Sequence, residues 1–275
     1  MLLTVLTLLC ALALLLFFLL MPGESDFTQR QPFWNINIAH RGLHKKDLSI
    51  PENSMAAFTA AIDAGYGIEL DIRLSQDDAV VVFHDEDLGR VCGVPGRVGE
   101  KPLAELKKLR LYGTNQLIPT LREVLEAIDG RVPLVIELKH GKDYKKLCEL
   151  AWRILRRYDG EICVESFDPR IVRWFYKNVP GLLRGQLAAP PKNLKQGFKG
   201  YAVGWLFANC IGRPHFIAYQ KGPKPLIVNL VCKFAMRVVW TARPEDHQGI
   251  LEMENDAVIF EYYEPEPYFQ TPEDT

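Results

Sequence analysis

Three pairs of side chains between Ile36 and Asp85 sit where a folded core would waste them: His40 with Arg41, Glu69 with Asp71, and His84 with Asp85. The two histidine pairs each close a short apolar run, and the acidic pair lies within one. Histidine titrates near neutrality, so two of them suit a general acid and a general base. Carboxylates two residues apart on a strand share a face and repel each other. A hard divalent cation bound through oxygen is the simplest way to make that arrangement tolerable. Solvated edge residues in salt bridges are the bland alternative for such a pair taken alone. The two flanking histidines weigh against it.

The elements that carry these groups are short. Residues 36–39, 67–72 and 80–83 are apolar and partly β-branched, which predicts strands. Residues 54–64 predict a helix. Asn53 or Ser54 caps it, Met55, Phe58 and Ile62 recur at helical spacing, and Gly65 stops it. Strand, helix and strand in that compass form a βαβ unit with parallel strands. Glu69 and Asp71 then face one way, and Ile68, Leu70 and Ile72 the other.

The segments IAHRG, PENSMAAFTAAIDAG, IELDIRLSQD and VVVFHD, in this order and spacing, resemble the glycerophosphodiester phosphodiesterases. The resemblance is continuous over residues 36–90 and resumes at PTLREVL, VIELK, ESFDP and VVWTA. It implies a TIM (β/α)8 barrel and metal-dependent hydrolysis of glycerophosphodiesters to an alcohol and glycerol 3-phosphate. Carried over residue by residue, His40 and His84 are the acid/base pair, their order open. Glu69, Asp71 and Glu137 hold Mg²⁺ or Ca²⁺. Arg41 and Lys139 neutralise phosphate charge, and Trp240, at a strand end, packs against the glycerol or alkyl part. An adjacent substrate hydroxyl attacks first and gives a cyclic phosphate. The last strand departs from the family, with Phe260-Glu261 where Thr-Asp is usual.

The rest of the chain fits one large domain. It has 275 residues and a net charge of −1, which argues against a nucleic-acid binder with a basic face. Five cysteines beyond Cys10, with no CxxC spacing, read as free thiols, Cys148 and Cys163 as buried ones. Alternating strand and helix patterns favour a barrel over an open doubly wound sheet, and no glycine-rich nucleotide turn is present. Further helices are predicted at 103–111, 119–128, 143–158, 168–178, 226–234 and 245–252. Further strands fall at 132–139, 161–166, 182–187, 216–219, 236–241 and 257–261. That makes nine strands, one too many for the barrel, with 182–187 or 216–219 the surplus. Ser166 lacks a nucleophile turn, and with Glu165 and Phe167 on either side of it is read as shaping the site floor. His44, His140, His215 and His247 have no motif context and read as bland.

Residues 2–21 are apolar apart from two threonines, long enough to cross a bilayer. An uncleaved anchor fits better than a signal peptide, because no basic residue precedes the run and no small-x-small site follows it. The expected layout is an anchor at 1–22, a polar linker at 23–34 and the barrel at 35–275. The absence of a basic residue before the span points to a single-pass protein with a cytoplasmic barrel. Residues 192–222 read as a passage through the core; an apolar lip of Trp205, Leu206, Phe207 and Ile211 is the alternative. The tail from Tyr263 is expected to loop over the surface. Two other functions remain open. One is lysophospholipase D-type cleavage of a lipid phosphodiester, marked by an open apolar groove beside His40. The other is a catalytically silent, membrane-anchored binding barrel.

Overall fold

The computed structural model describes residues 1–194 and 197–269. Its strands, in chain order, are β1 (Ile36–Ala39), β2 (Gly67–Leu74), β3 (Val80–Val82), β4 (Leu134–Leu138), β5 (Ile162–Ser166), β6 (Arg184–Ala188), β7 (Phe216–Gln220), β8 (Met236–Ala242) and β9 (Ala257–Phe260). All but β3 form one parallel ring, closed where β1 pairs with both β2 and β9. This is a TIM barrel with helices outside.

The surplus strand is not the one the patterning suggests. Both β6 and β7 belong to the ring, and the extra strand is β3, antiparallel on the end of β2. Only Ser75 to Ala79 separate β2 from β3, far short of the crossover of a dozen or more residues that a parallel neighbour needs. The Ser75 N–H donates to the Ala79 carbonyl at 2.9 Å and closes a hairpin. The helix expected over 103–111 is a single turn, Leu103–Leu106, followed by a 3₁₀ turn at Leu111–Gly113.

Alternation divides each ring strand between two apolar layers. Ile68, Leu70, Ile72, Ile136 and Leu138 point outward and pack with Phe58, Val124 and Leu147 of the surrounding helices. Ile38, Val135, Cys163, Phe216, Val238 and Ile259 fill the inside. Following the inner face upward, β1 passes from Ile38 to His40, β4 from Val135 to Glu137 and β9 from Ile259 to Glu261. The ring is therefore a plug of hydrocarbon at its lower end and a set of polar groups at its upper end. Gly185 makes room for the plug: a Cβ there would lie 2.0 Å from the Phe216 ring.

The predicted helix starts are present. Ser54 Oγ accepts from the Ala57 N–H, Thr120 and Glu123 form a reciprocal capping box, and Asp168 caps a helix with Pro169 at its first position. Each such cap contributes about 1 kcal/mol. Helix Leu2–Leu20 is uncharged, lies apart from the core over most of its length, and is long and apolar enough to cross a membrane. Residues 23–34 carry a helical turn, Phe27–Arg30, and place Phe33 in the floor of the ring. Of 192–222, where 195 and 196 lie outside the described residues, Leu206 is buried and Trp205, Phe207 and Ile211 are exposed. The tail is a strap. Asn37 N–H donates to Pro267 O at 2.8 Å and Phe269 N–H to Asn35 O at 2.9 Å. It satisfies backbone groups of β1 that precede the start of pairing with β2 at Ile38. Residues 270–275 lie outside the described part.

Candidate active site

Six of the eight residues picked from the sequence line one cavity of about 360 Å³ at the upper end of the ring: His40, Arg41, Glu69, His84, Glu137 and Trp240. The other two, Asp71 and Lys139, are buried beside it.

The three carboxylates converge from two adjacent strands. Asp71 stands opposite Glu137 in the β2–β4 ladder, and Glu69, Asp71 and Glu137 offer oxygens all within 4.8 Å of one another. All three are buried. Burial, then the charge of Asp71, pushes Glu69 well above the usual carboxylate range, and burial raises Glu137 as well. Asp71 goes the other way: burial works upward, but Lys139 above all holds it well below the ordinary value. The Lys139 ammonium lies 2.9 Å from Asp71 and 2.9 Å from Glu137. Asn53 Nδ2 donates to the second Asp71 oxygen at 2.8 Å. Oxygens on opposite sides of a hard cation stand about 4–5 Å apart at bond lengths of about 2.1–2.5 Å. The spacing and the all-oxygen set fit a hard divalent cation.

The turn after β1 aims the next groups. Arg41 has φ +54, left-handed for a residue with a Cβ, so its N–H points at Glu69 Oε2, 2.9 Å away. Gly42 follows with φ +78, and a Cβ on it would lie 2.8 Å from the Ala57 backbone. The Arg41 guanidinium reaches Glu52 at 2.8 Å and Asp71 at 3.4 Å. Glu52 also takes two hydrogen bonds from Arg90.

The histidines sit in matching settings. His40 Nδ1 is 2.9 Å from Glu261, and its Nε2 faces Glu69 at 3.9 Å. Burial, then the neighbouring Arg41, lowers its pKa to about 4, against the pull of Glu261. His84 Nδ1 bonds to Asp85 Oδ1, and Arg90 clamps the other oxygen of Asp85 at 2.6 Å. His84 is carried just past β3 and not on the ring. Arg73 Nε donates to its carbonyl at 2.9 Å and ties it back to β2.

Several members of the site were given no part in the chemistry by the sequence reading. Glu261 is one, although its place at the end of the last strand, where the family pattern changes, was a usable signal. Glu52 lay inside the PEN segment and Asp85 beside His84. Glu165 is buried, lines the cavity and has an oxygen without a partner; burial, then Glu137, raises it well above its ordinary value. His44, expected to be bland, is buried 3.8 Å from Glu261. His40, His44 and Glu261 form a second group with metal-ligand spacing, and the Arg243 guanidinium lies 2.8 Å from Glu261. Ser166 Oγ is spent on Leu138 O, at 2.7 Å. Trp240 donates to Ala218 O and meets Phe167 edge-on at 5.6 Å.

Comparison with known proteins follows the same lines. The model of the "Glycerophosphoryl diester phosphodiesterase family" matches residues 40–264. A glycerophosphodiester phosphodiesterase of Caldanaerobacter subterraneus is 38% identical over 161 residues, 54% of this chain and 65% of that protein. Lysophospholipase D GDPD1 of Homo sapiens is 34% identical over 161 residues, 52% of this chain and 49% of that protein. The chain thus spans about half of one of these relatives and just under two thirds of the other. An Oleispira antarctica phosphodiesterase, solved with the product sn-glycerol-3-phosphate, superposes with a TM-score of 0.67 at 22% identity, over 83% of this chain and 94% of that one.

Proposed function

Since the chain belongs to the glycerophosphoryl diester phosphodiesterase family, we propose that it hydrolyses a glycerophosphodiester to an alcohol and glycerol 3-phosphate. The observation that carries this reading is the convergence of His40, His84, Glu69 and Glu137 on one cavity.

Glu69, Asp71 and Glu137 would hold Mg²⁺ or Ca²⁺, which when bound supplies Lewis-acid polarisation of a phosphoryl oxygen. An ionised carboxylate only accepts hydrogen bonds, so Glu261 fixes the His40 proton on Nδ1 and leaves the Nε2 lone pair facing the cavity. Asp85 does the same for His84. One ring takes the proton of the attacking hydroxyl; the other protonates the leaving alcohol oxygen. Each partner carboxylate stabilises the imidazolium that its ring forms. Arg41 and Lys139 offset the phosphate charge, and both are held in place by carboxylates before substrate arrives. Trp240 and Phe167 form an apolar wall for the glycerol carbons. An adjacent substrate hydroxyl is the first nucleophile, and water opens the resulting cyclic phosphate. Residues 1–22 act as a membrane anchor and 23–34 as a connector, with the barrel of 35–275 on the cytoplasmic side.

The test is release of glycerol phosphate from glycerophosphocholine and glycerophosphoethanolamine by the full chain in vesicles, with Mg²⁺, with Ca²⁺ and with chelator. His40→Ala and Glu69→Ala serve as controls. Metal-dependent release lost in both variants supports the proposal. A folded protein that turns over none of these substrates with either metal removes it and leaves a binding barrel. A second reading, cleavage of lysophospholipids, is favoured by the name of the human relative and by the apolar helix. It predicts turnover of lysophosphatidylcholine in preference to the two water-soluble diesters.

A further inference from the structure

Helix Leu2–Leu20 does not leave the barrel as a free tether. Asn209 Nδ2 donates to Leu20 O at 2.9 Å, Arg213 Nη1 donates to Phe18 O at 3.0 Å and to Met21 O at 2.9 Å, and Gly23 N–H donates to Pro214 O at 2.8 Å. The last carbonyls of a helix have no partners of their own and carry partial negative charge. A guanidinium takes one of them, Phe18 O, together with the carbonyl of the cap residue Met21, and also covers the Phe18 ring at 5.1 Å. Leu20 is buried among Val203, Leu206, Val228 and Val231, and Phe17 meets Phe234 edge-on at 5.7 Å. The exit of the helix is thereby fixed against helices Gly197–Gly204, Asn209–Gly212 and Leu226–Cys232.

The outer sides of these same segments are apolar. Trp205, Phe207, Ile211, Leu226, Leu230 and Phe234 are all exposed, Leu226 at 86%. Trp205 and Phe207 stack with ring planes 10° apart. Single exposed hydrophobic residues are ordinary, but a group of them on neighbouring segments marks a surface that meets something. The charge pattern says what. From Pro169 to Pro244 the sequence has no Asp or Glu and thirteen Lys and Arg, in a chain whose net charge is −1. Within this stretch Arg213 lies at the helix exit, over Phe18, Lys224 lies over the Tyr219 ring, and Lys233 is exposed next to Phe234. Exposed Glu24 and Asp26 follow the helix exit; the aromatic, aliphatic and cationic groups of the segments between Trp205 and Phe234 are what the headgroup layer of an anionic bilayer accepts.

We propose that this face of the barrel is a second membrane contact, seated in the interfacial layer of an anionic bilayer beside the helix. The proposal rests on the reading of Leu2–Leu20 as a membrane anchor and adds that the barrel is held against the lipid in one orientation. A protein partner or a second copy of the chain on this face is the competing occupant.

The experiment uses the full chain in phosphatidylcholine vesicles, with and without phosphatidylglycerol, doped with a diazirine-bearing phospholipid. After illumination, attached lipid is located by mass spectrometry. The expected result is label in the segments around Trp205–Ile211 and Leu226–Phe234 as well as in the helix, increasing when phosphatidylglycerol is present. The double variant Phe207→Ser, Leu230→Ser should lose label in those two segments several-fold and keep it in the helix. Label confined to the helix, with or without a cross-linked dimer, overturns the second contact and leaves the anchor standing. Label absent from the helix overturns both.

Discussion

His40 Nδ1 lies 2.9 Å from one oxygen of Glu261, and Arg243 donates to the other oxygen at 2.8 Å. Glu261 thus fixes the ring of His40 and is itself held by a cation. Glu261→Gln keeps the volume and removes the charge that favours an imidazolium. The expected result is a fall in kcat of about 10²- to 10⁴-fold, with KM little changed and the fold intact. Steady-state kinetics with a thermal melt checks it. A variant as fast as the parent would remove Glu261 from the mechanism.

Metal should stabilise the folded protein through the three carboxylates. At a concentration one hundred times Kd, a bound ion adds about 2.7 kcal/mol. For a chain of this size that is a rise in Tm of roughly 5–10 °C. Melts with Mg²⁺, with Ca²⁺ and with chelator should show this rise for the parent and not for Glu69→Gln or Asp71→Asn. An equal rise in the variants would place the ion elsewhere.

Glu52 gives a pH signature. Burial pushes its pKa up, but the hydrogen bonds and charges of Arg90 and Arg41 outweigh it and bring the value down to about 2. A depressed carboxyl stabilises the fold above its unfolded value, and that contribution disappears as pH falls through the folded value. Glu52→Gln should therefore cost on the order of 1–3 kcal/mol near neutrality. The gap to the parent should narrow between about pH 4.5 and pH 2, which urea titrations across that range would reveal. A gap independent of pH would mean that the loss is not electrostatic.

Gly185→Ala tests the plug. The new methyl would meet the Phe216 ring inside a closed ring of strands, where neither neighbour has space to yield. Overpacking of this kind costs about 1–3 kcal/mol, read as a lowered Tm. Because the clash lies below the polar layer, Gly185→Ala with Phe216→Leu should recover much of the loss. If the double variant is less stable than either single one, the two positions do not compete for the same volume.

Much of the site was legible because a strand alternates. Glu69 and Asp71 had to share a face once residues 67–72 were read as a strand, and Glu137 and Lys139 had to share one on β4. Caps were legible for a similar local reason at Ser54, Thr120 and Asp168. What stayed hidden depends on partners distant in sequence. Glu261 becomes a site residue only because β9 closes on β1 and brings it to His40, 221 positions away. The surplus strand was misplaced because a three-residue apolar run looks alike in a ring and in a hairpin; the short connection after Leu74 decides between them. The strap formed by the tail was illegible because its backbone bonds carry no side-chain signature.

The hairpin placement of His84 has an effect on how the two proton-handling groups are mounted. His40 belongs to the hydrogen-bonded ring, which has no edge to fray. His84 belongs to an excursion with its own small core of Val81, Phe83, Leu88, Val91, Leu106 and Ile118. The excursion is joined to the ring by a short ladder with β2 and by a few side chains, Arg73 among them. One half of the proposed catalytic pair is thus bolted to the chassis and the other rides on a detachable fitting. Residues inserted at the exposed Gly93–Gly96 bend would lengthen or reshape that fitting without changing a single register in the ring. Under the proposed mechanism, the setting of one proton-handling group can change while the acidic cluster and the other group stay as they are.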